Sequence, residues 1–224
     1  MLTSFTEENY IKAIFKLEEL NGKEAILTND IAIALKMKPA SVTDMMKRLS
    51  DKKIISYKKY YGVLLTKKGK EIALNIIRKH RLWEVFLVKK LNFKWDEVHD
   101  IAEQLEHINS QELINKLDDF LGNPKFDPHG DAIPDKEGKM RYQQSFPLSK
   151  VINQKKLVFS GVLNHDPKFL QYLTTLELKL GSTIDIESYN DYDLSFKVII
   201  NHKNQEFISD SIASSILVNT VNGK

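Results

Sequence analysis

The sequence contains no cysteine. Disulfide bonds, thiolate zinc sites and cysteine nucleophiles are therefore excluded. It also lacks any apolar run near the roughly 20 residues that a membrane-spanning helix needs. The first residues, MLTSFTEEN, do not show the basic and then apolar pattern of a secretion signal. We therefore expect a cytoplasmic protein without a membrane partner, and its 224 residues, 42% of them hydrophobic, suffice for more than one domain.

The net charge is small, at +3, but it is unevenly distributed. Between Lys36 and Lys70, eleven Lys or Arg residues stand against two Asp residues, a local net charge of +9. Between Asp96 and Phe120, eight acidic residues stand against one lysine, a local net charge of −7. This order favours a polyanion-binding module next to a cation-binding one, although two solvated surfaces of opposite sign would give the same counts.

The first seventy residues have the pattern of a winged helix-turn-helix. Ser4 and Glu7 have the spacing of a capping box that opens a first helix. A second helix begins near Thr28, and Pro39 opens a third, because its missing N–H costs nothing in a first turn. The runs IISYK and VLLT flank a turn with Gly62, which predicts a β-hairpin. Three helices and a hairpin, with the basic block, predict a DNA-binding domain.

The third helix and the hairpin tip supply the DNA-binding candidates. Ser41 and Thr43 are small polar residues that can reach base edges, and Thr43 also offers a methyl group to thymine. Basic residues are expected to contact phosphates, although Lys47 and Arg48 could equally be ordinary exposed helix charges. The complete set is Pro39, Ser41, Thr43, Asp44, Lys47, Arg48, Lys58 and Lys59.

Three further helices are predicted before residue 123. Thr66 can cap a long helix that runs to about Leu91, Asp96 can cap the next, and Ser110 opens a third that Gly122 ends. Long helices with surplus apolar surface behind a DNA-binding domain usually form a dimer interface. A homodimer of this kind would bind a pseudo-palindromic site on double-stranded DNA.

Acidic and imidazole side chains recur at helical spacing in this region. His80 and Glu84 are four residues apart, and so are His99 and Glu103. Glu106 and His107 follow Glu103 by three and four residues. Those from His99 onward project within an arc of about 100° on one helix. Carboxylates this close together repel one another, and some hydrogen-bonding atoms stay unsatisfied unless a cation lies between them. The pattern therefore predicts a divalent ion. Oxygen and nitrogen ligands without sulfur suit Mn²⁺, with Fe²⁺ as the alternative.

Three strings carry a resemblance that covers essentially the whole chain: RKHRLxExFL, VHDxAExLEH and NPKFDPHGDAIP. They resemble the diphtheria-toxin-repressor family of metal-dependent regulators, most of all its manganese-responsive branch with a C-terminal SH3-like, FeoA-type domain. The resemblance implies two ions per subunit. It implies a primary site of Asn9, Glu103, Glu106, His107 and Asp127. It implies a second site of His80, Glu84 and His99, completed from the C-terminal domain by His165 or Asp166.

The sequence departs from the family pattern at three positions. Asn9 stands where relatives often carry Asp or Met, and it adds an oxygen without a charge. Asp127 stands where some relatives have Cys and can supply negative charge. Lys12 stands where a small single-domain relative has a ligating Glu, which argues against a binuclear site of that kind. His129 could also be a ligand, but a histidine in a loop beside a glycine is more often structural or solvent-exposed.

After residue 135 the pattern changes from helical to alternating. Residues 136–149 read as a polar linker, and short alternating runs from residue 150 predict a small, mostly antiparallel barrel with one helix at Pro167–Leu176. The predicted fold is thus a mainly α N-terminal part, with a winged helix-turn-helix and a helical dimerisation domain, followed by a small all-β SH3-like barrel. The predicted domains are 1–70 (DNA binding), 71–135 (dimerisation and metal binding), 136–149 (linker) and 150–224 (SH3-like).

These observations predict a Mn²⁺-dependent, or alternatively Fe²⁺-dependent, transcriptional repressor; the resemblance suggests that it controls metal-uptake genes. No nucleophile–base pair or phosphate-binding loop is present, so we expect neither an enzyme nor an organic cofactor. A di-metal enzyme would need two Glu-x-x-His repeats, and the chain lacks them. A winged-helix regulator with an organic effector remains the second alternative, which metal titration would distinguish.

Overall fold

The computed structural model of the chain describes residues 3–22, 24–152 and 156–220. They form two compact units. The first takes its described residues from Met1–His80, Glu103–Gln111 and Pro134–Lys139, and the second from Arg81–Ala102, Glu112–Ile133 and Met140–Lys224. Each unit is therefore assembled from separate stretches of the chain.

Helix α1, Phe5–Leu20, opens the first unit. The predicted capping box is confirmed, because the Ser4 hydroxyl accepts a hydrogen bond from the Glu7 amide and the Glu7 carboxylate accepts one from the Ser4 amide. Spacing of three and four residues produces one apolar face. Its buried apolar residues are Tyr10, Ile11, Ile14 and Phe15. The helix also buries the charged residues Glu8 and Lys12, which hydrophobic packing does not explain.

Helices α2, Thr28–Ala34, and α3, Pro39–Asp51, form the predicted helix-turn-helix. Pro39 occupies the first turn of α3, where no N–H is needed. The buried residues of α3 are Val42, Met45, Met46 and Leu49. This burial pattern leaves the opposite, polar face of α3 exposed to solvent.

Strands β1, Ile55–Lys58, and β2, Gly62–Leu65, form the predicted antiparallel hairpin. Gly62 has a φ of +110°, and a Cβ atom there would lie 2.8 Å from the carbonyl oxygen of Ile26. Glycine is therefore required both by the backbone conformation and by the close approach of the neighbouring chain. The hairpin completes a winged helix-turn-helix.

Helices α4, Lys67–Leu91, and α6, Gln111–Phe120, follow the hairpin. Thr66 caps α4 as predicted, because its hydroxyl oxygen accepts a hydrogen bond from the amide of Gly69 at 3.2 Å. In the second unit, apolar side chains from both helices form one core with a loop residue: Leu82, Val85, Ile114, Leu117 and Ile133. No helix among the described residues combines the length and apolar character needed to cross a membrane.

Helix α5, His99–Leu105, begins two residues later than capping by Asp96 would give. The expectation that Asp96 caps this helix is wrong. Its Oδ2 atom instead accepts a hydrogen bond from Nε2 of Gln171 at 2.8 Å, so the carboxylate is used by a distant side chain rather than by amides of the next turn.

The C-terminal part of the second unit is a small antiparallel β-domain, as predicted. Among the described residues, six strands form one sheet in the order β3-β8-β4-β5-β6-β7. They are β3 Phe146–Pro147, β4 Leu157–Val162, β5 Thr183–Asn190, β6 Ser195–Ile200, β7 Asn204–Ile208 and β8 Ile216–Thr220. Helices α7, Pro167–Thr175, and α8, Asp210–Ala213, accompany the sheet. Alternating residues such as Phe159 and Phe196 fill the core.

The β-domain starts earlier than its sequence pattern indicates. Phe146 and Pro147, in the predicted linker, pair with Val218 and Leu217 of β8. Leu148 follows in a short 3-10 turn and is fully buried in the core of the β-domain. A two-residue strand is too short to show an alternating pattern, which is why sequence reasoning missed it.

Candidate metal centres and nucleic-acid interface

The first unit contains a group of potential ligands that we call the primary cluster. Its members come from one face of α1, from α4 and from the stretch at the end of α5: Glu8, Lys12, His80, Glu103, Glu106 and His107. Asn9 directly follows Glu8 on α1 and is the candidate that would complete the cluster. Side chains that are up to 99 residues apart in sequence are thereby brought into hydrogen-bonding distance. The fold, rather than the helical spacing alone, assembles the cluster.

Glu106 is the most buried member of the primary cluster, with no exposed surface. Lys12 Nζ donates a hydrogen bond to its Oε1 at 2.6 Å, and His80 Nδ1 lies 2.6 Å from its Oε2. Lys12 Nζ also donates to Oε1 of Glu103 at 2.5 Å. One ammonium group therefore bridges both carboxylates, while His80 fixes the orientation of the Glu106 carboxylate.

Two residues of α1, Glu8 and Phe5, hold His107 in place. Its Nδ1 lies 2.7 Å from Oε2 of Glu8, and the Phe5 ring stacks on the imidazole with 4.6 Å between the ring centroids. Because an ionised carboxylate can only accept hydrogen bonds, Nδ1 carries the proton. The Nε2 atom is then the ring nitrogen that has a lone pair for a metal ion.

The side-chain oxygen of Asn9 indicates whether a metal ion fits the primary cluster. Its Oδ1 is buried and has no hydrogen-bond partner within the part of the chain that the structure describes. A buried acceptor without a partner is costly, and such atoms are rare in folded proteins. A cation beside Asn9 would satisfy this oxygen, and the neighbouring carboxylate and imidazole ligands suit a divalent ion. The residues present therefore fit a metal ion.

The second unit contains another group, which we call the secondary cluster: Glu84, Asp127 and His129. Each offers one ligand atom, these atoms all lie within 4.8 Å of one another, and all three residues are buried. His129 Nδ1 lies 3.6 Å from Oε2 of Glu84. Its Nε2 lies 2.8 Å from the carbonyl oxygen of Trp95 and therefore carries a proton, so Nδ1 has the lone pair when the ring is neutral. The geometry again suits a divalent cation.

Ionisation in the secondary cluster is strongly perturbed. Burial, together with the Asp131 and Glu84 carboxylates, raises the pKa of Asp127 from 3.8 to about 7. Burial lowers the pKa of His129, but the adjacent Glu84 carboxylate outweighs burial, and the pKa rises to about 9. The cluster thus retains protons at neutral pH in the absence of another positive charge. Arg81 offsets part of the negative charge, with its Nε 3.7 Å from Oδ2 of Asp127.

A tight loop positions His129 against the β-domain. The amide of Val162, in β4, donates a hydrogen bond to the His129 carbonyl oxygen at 3.0 Å. Gly130 follows with a φ of +92°, and a Cβ atom there would overlap the Ser160 carbonyl group and lie 2.5 Å from the Cα of Gly161. Only glycine allows the loop to approach β4 this closely.

Asp127 lies in a different group from the one that the resemblance implies. The structure brings Glu103, Glu106 and His107 together with Glu8, which directly precedes Asn9, whereas Asp127 lies in the secondary cluster. His80 Nδ1 lies 2.6 Å from Oε2 of Glu106. The position of Asp127 follows from its loop, where its Oδ1 accepts hydrogen bonds from the amides of His129 and Asp131.

The remaining predicted ligands lie around the secondary cluster. His99 Nδ1 is 3.7 Å from Oε1 of Glu84, and nearly half of the His99 side chain is exposed. The His165 ring lies 5.1 Å from that of His129, with its Nε2 3.5 Å from Oδ2 of Asp131. Asp166 caps α7, because its side chain accepts hydrogen bonds from the first amides of that helix. Of the two residues predicted to complete the site, His165 is the one beside the cluster.

Sequence reasoning missed three residues of these clusters. Glu8 directly precedes Asn9 on α1, and its carboxylate contacts His107. Lys12 lies one turn after Glu8 on the same helix face, a spacing that could have identified it. His129 was expected to be structural or exposed, but it is 2% exposed and lies beside two carboxylates. Its position two residues after Asp127 was the available signal.

The polar face of α3 forms the candidate nucleic-acid interface. Ser41, Asp44, Lys47 and Arg48 are exposed along it, as is Pro39 at its start. The Thr43 hydroxyl donates a hydrogen bond to the Pro39 carbonyl oxygen at 3.0 Å, so the hydroxyl proton is used within the helix. Thr43 therefore has an acceptor oxygen and a methyl group to offer to a base edge.

The hairpin tip combines positive charge with exposed aromatic rings. The Lys58 ammonium lies 4.0 Å from the centroid of the Tyr61 ring, and the Lys59 ammonium lies 5.0 Å from that of Tyr60. Tyr60 is 86% exposed. Ring contacts restrain the two long side chains while leaving their charges at the surface, where a phosphate group can approach.

Three family descriptions match successive parts of the chain. "Iron dependent repressor, N-terminal DNA binding domain" matches residues 1–63, and "Iron dependent repressor, metal binding and dimerisation domain" matches residues 66–135. "FeoA domain" matches residues 146–220. Together they cover the winged helix, the helical region and the β-domain.

Individual relatives give the same result. The HTH-type transcriptional regulator MntR of Bacillus pumilus is 34% identical over 120 residues, which are 54% of this chain and 81% of the relative. A solved manganese-dependent transcriptional repressor in complex with manganese is 27% identical, with a TM-score of 0.84, and the match covers 96% of this chain and 100% of the other. The manganese regulator SloR is 32% identical, with a TM-score of 0.73 and coverage of 96% and 98%.

Proposed function

The chain belongs to the iron-dependent repressor family of transcription regulators, and from this premise we propose that it is a Mn²⁺-activated repressor acting in the cytoplasm. As a homodimer it binds a pseudo-palindromic operator when two ions per subunit occupy the primary and secondary clusters. It is a regulator and not an enzyme, as its relatives are. The observation that carries the proposal is the buried, unpartnered Oδ1 of Asn9, directly after Glu8, whose carboxylate contacts His107.

We assign the primary ligands to Asn9 Oδ1, the Glu103 and Glu106 carboxylates and His107 Nε2. Glu8 and His80 act as positioning residues, because they hydrogen-bond to His107 and Glu106 and fix their orientation. In the secondary cluster, we assign Glu84, Asp127 and the Nδ1 of His129, with His165 beside them as the fourth ligand. Hard oxygen donors with imidazole favour Mn²⁺, with Fe²⁺ as the alternative.

Activation follows from the position of α1. This helix belongs to the winged helix-turn-helix and also carries Asn9, whereas Glu106 and His107 come from the region that the dimerisation family description matches. A bound ion would supply positive charge to the Glu103 and Glu106 carboxylates, and Asn9 would help to hold it from α1. The chain then favours one orientation of α3, which stabilises the DNA-bound form by linkage. A coupling of about 1–3 kcal/mol would change operator affinity about 5–150-fold.

The partner contacts are proposed from exposed surfaces. The polar face of α3 lies in the major groove, and Lys58 and Lys59 contact phosphates. Homodimer formation is supported by apolar side chains of α6 that remain exposed, including Phe120 at 62% and Leu113 at 41%. Two α3 helices related by a two-fold axis would then bind two half-sites.

The proposal is tested by titrating operator DNA with protein at a fixed salt concentration, with Mn²⁺, Fe²⁺ or Zn²⁺ supplied separately. We expect Mn²⁺ to increase operator affinity, and the Glu103→Gln, Glu106→Gln double variant to abolish the increase. Glu112→Gln, which alters an exposed carboxylate on α6, is the matched control and should retain it. Retained metal dependence in the double variant, or equal operator affinity of wild type with and without ions, would refute the proposal.

A further inference from the structure

We propose that Lys12 is a built-in competitor for the metal ion in the primary cluster. Its ammonium group holds the carboxylate oxygens that the ion must bind, so it raises the ion concentration at which the protein switches and limits the cluster to one ion. This inference rests on the proposed function of the cluster as a metal site. It concerns a residue that determines metal affinity without being a ligand.

The geometry places the ammonium between the two carboxylates. Lys12 Nζ lies 2.5 Å from Oε1 of Glu103 and 2.6 Å from Oε1 of Glu106. Lys12 is 7% exposed, so its charge depends on these partners rather than on water. It projects from the same face of α1 as Glu8, one turn away, and so reaches the cluster from the helix that also carries Asn9.

The ammonium performs the neutralisation that otherwise only a bound cation could supply. It screens the mutual repulsion of Glu103 and Glu106, so the cluster is stable before an ion arrives. An incoming ion competes for the same oxygens and must displace the ammonium, which then loses two short ion pairs. Breaking a buried ion pair costs free energy, and this cost makes the binding free energy of the ion less favourable.

The charge balance also limits the number of ions. The cluster has three carboxylates, on Glu8, Glu103 and Glu106, against the ammonium groups of Lys12 and the buried Lys79. The charges of Glu8 and Glu106 act on Lys79, so it belongs to the same local field. A net charge of about −1 accommodates one divalent ion, whereas a second would leave a strong excess of buried positive charge.

A merely structural ion pair predicts a different result from a competitor. If Lys12 only holds the cluster together, its removal should disorder the carboxylates and weaken metal binding. If it competes, its removal should destabilise the metal-free protein and yet strengthen metal binding. The two roles therefore differ in the sign of the change in metal affinity.

The experiment is a calorimetric titration of the metal-free full-length protein with Mn²⁺, for wild type, Lys12→Gln and Lys12→Arg. Binding to the primary cluster is identified as the heat that the Glu103→Gln, Glu106→Gln variant loses. We expect Lys12→Gln to bind Mn²⁺ at least about tenfold more tightly, since no ammonium must be displaced. Lys12→Arg retains a cation and should remain near wild type. Lys16→Gln, an exposed lysine one turn further along α1, is the matched control.

A second variant tests the number of ions. Lys12→Glu replaces the ammonium with a carboxylate, and we expect it to bind one further equivalent of Mn²⁺ in the cluster. Circular dichroism and metal-free thermal unfolding establish that each variant is folded, and Lys12→Met replaces Lys12→Gln if that variant is not. Unchanged or weaker Mn²⁺ affinity in the folded uncharged variant overturns the role of Lys12 while leaving the proposed function intact. No Glu103- and Glu106-dependent heat in wild type overturns both.

Discussion

The Lys52 ammonium lies 2.6 Å from Oε1 of Glu7, and the Glu7 carboxylate is almost fully buried. Burial raises the pKa of Glu7, but the hydrogen bonds from Lys52 and the Ser4 amide, with the positive charges of Lys52 and Arg48, together outweigh burial, and the pKa is lowered overall. Lys52 is the C-terminal cap of α3, and Glu7 directly precedes Glu8 and Asn9 of the primary cluster. One turn of α1 therefore contacts both the C-terminal end of α3 and the candidate metal ligands.

Because of this contact, we expect a Lys52 variant to bind metal normally but to show a smaller effect of metal binding on operator affinity. In Lys52→Met, calorimetry should find near-wild-type Mn²⁺ affinity, because no ligand changes. The Mn²⁺-dependent gain in operator affinity should fall, because α3 is no longer held to the turn that contains Asn9. Lys67→Met, at an exposed position of α4, controls for loss of one positive charge. An unchanged gain in Lys52→Met would refute this role.

The carboxylates of Glu103 and Glu106 should contribute very differently to stability. Glu106→Ala leaves the buried Lys12 and His80 without their shared partner, and we expect a loss of about 3 kcal/mol in the free energy of unfolding. Glu103 is 32% exposed, so Glu103→Ala should cost less than about 1 kcal/mol. Urea unfolding of the metal-free protein measures both values, and equal losses would contradict the described burial.

Metal binding to the secondary cluster should strengthen with pH. Coordination requires ionised Asp127 and a lone pair on His129 Nδ1, but the pKa values of about 7 and about 9 mean that both groups retain protons at neutral pH. Raising the pH from 7 to 9 should increase affinity by nearly tenfold per unit through loss of the His129 proton, and by only about twofold in all through Asp127, which is already half ionised at pH 7.

Calorimetry in buffers of different ionisation enthalpy measures this proton release directly. Asp127→Asn removes one of the two titrating groups and should reduce the number of protons released at pH 7, although it also removes a ligand charge. The Glu103→Gln, Glu106→Gln variant isolates the signal of the secondary cluster. Metal affinity that is independent of pH between 7 and 9 in that variant would contradict the assignment.

The two parts of the nucleic-acid interface should respond to different DNA properties. Lys59→Ala removes a phosphate contact, so it should weaken binding to all sequences alike and reduce the slope of log affinity against log salt by about 1. Thr43→Ala removes a methyl group and an acceptor, so it should reduce discrimination against altered half-sites by roughly 1 kcal/mol. Fluorescence anisotropy with operator and unrelated duplexes separates these effects, and a matched loss of discrimination in both variants would refute the division.

Gly130 offers a test of the secondary cluster that leaves every ligand intact. Gly130→Ala brings a Cβ atom against Ser160 and Gly161, so the loop must move away from β4 and carry His129 with it. We expect the affinity of the secondary cluster for Mn²⁺ to fall. Gly181→Ala is the matched control, since Gly181 also has a positive φ of +90° but no atom within 4 Å of the added Cβ. Equal effects of the two variants would show that backbone strain alone is responsible.

Local signals in the sequence predicted the helical elements and the wing well. The Ser4 and Glu7 capping box, Pro39 in a first turn and Gly62 at the wing act over a few residues, and each was confirmed. The start of α5 was predicted wrongly because Asp96 forms a hydrogen bond with Gln171, 75 residues away. No local pattern encodes that choice of partner.

The candidate site was predictable in composition but less so in grouping. Helical spacing identified Glu103, Glu106 and His107, which do lie together. It could not show whether Asp127 or His80 joins them, because that depends on how a loop folds and on which face of α4 is buried. The role of His129 required a close approach between Gly130 and β4, a contact between backbones that leaves almost no mark on the sequence.

The hydrogen bond from the Val162 amide to the His129 carbonyl gives the C-terminal β-domain a part in the chemistry of the helical region. A chain cut short before residue 146 would retain each of the three secondary ligands but lose the strand against which their loop is built. If the secondary cluster binds an ion as proposed, gain or loss of the β-domain would change how many ions a repressor of this architecture binds, while its winged helix-turn-helix stays the same.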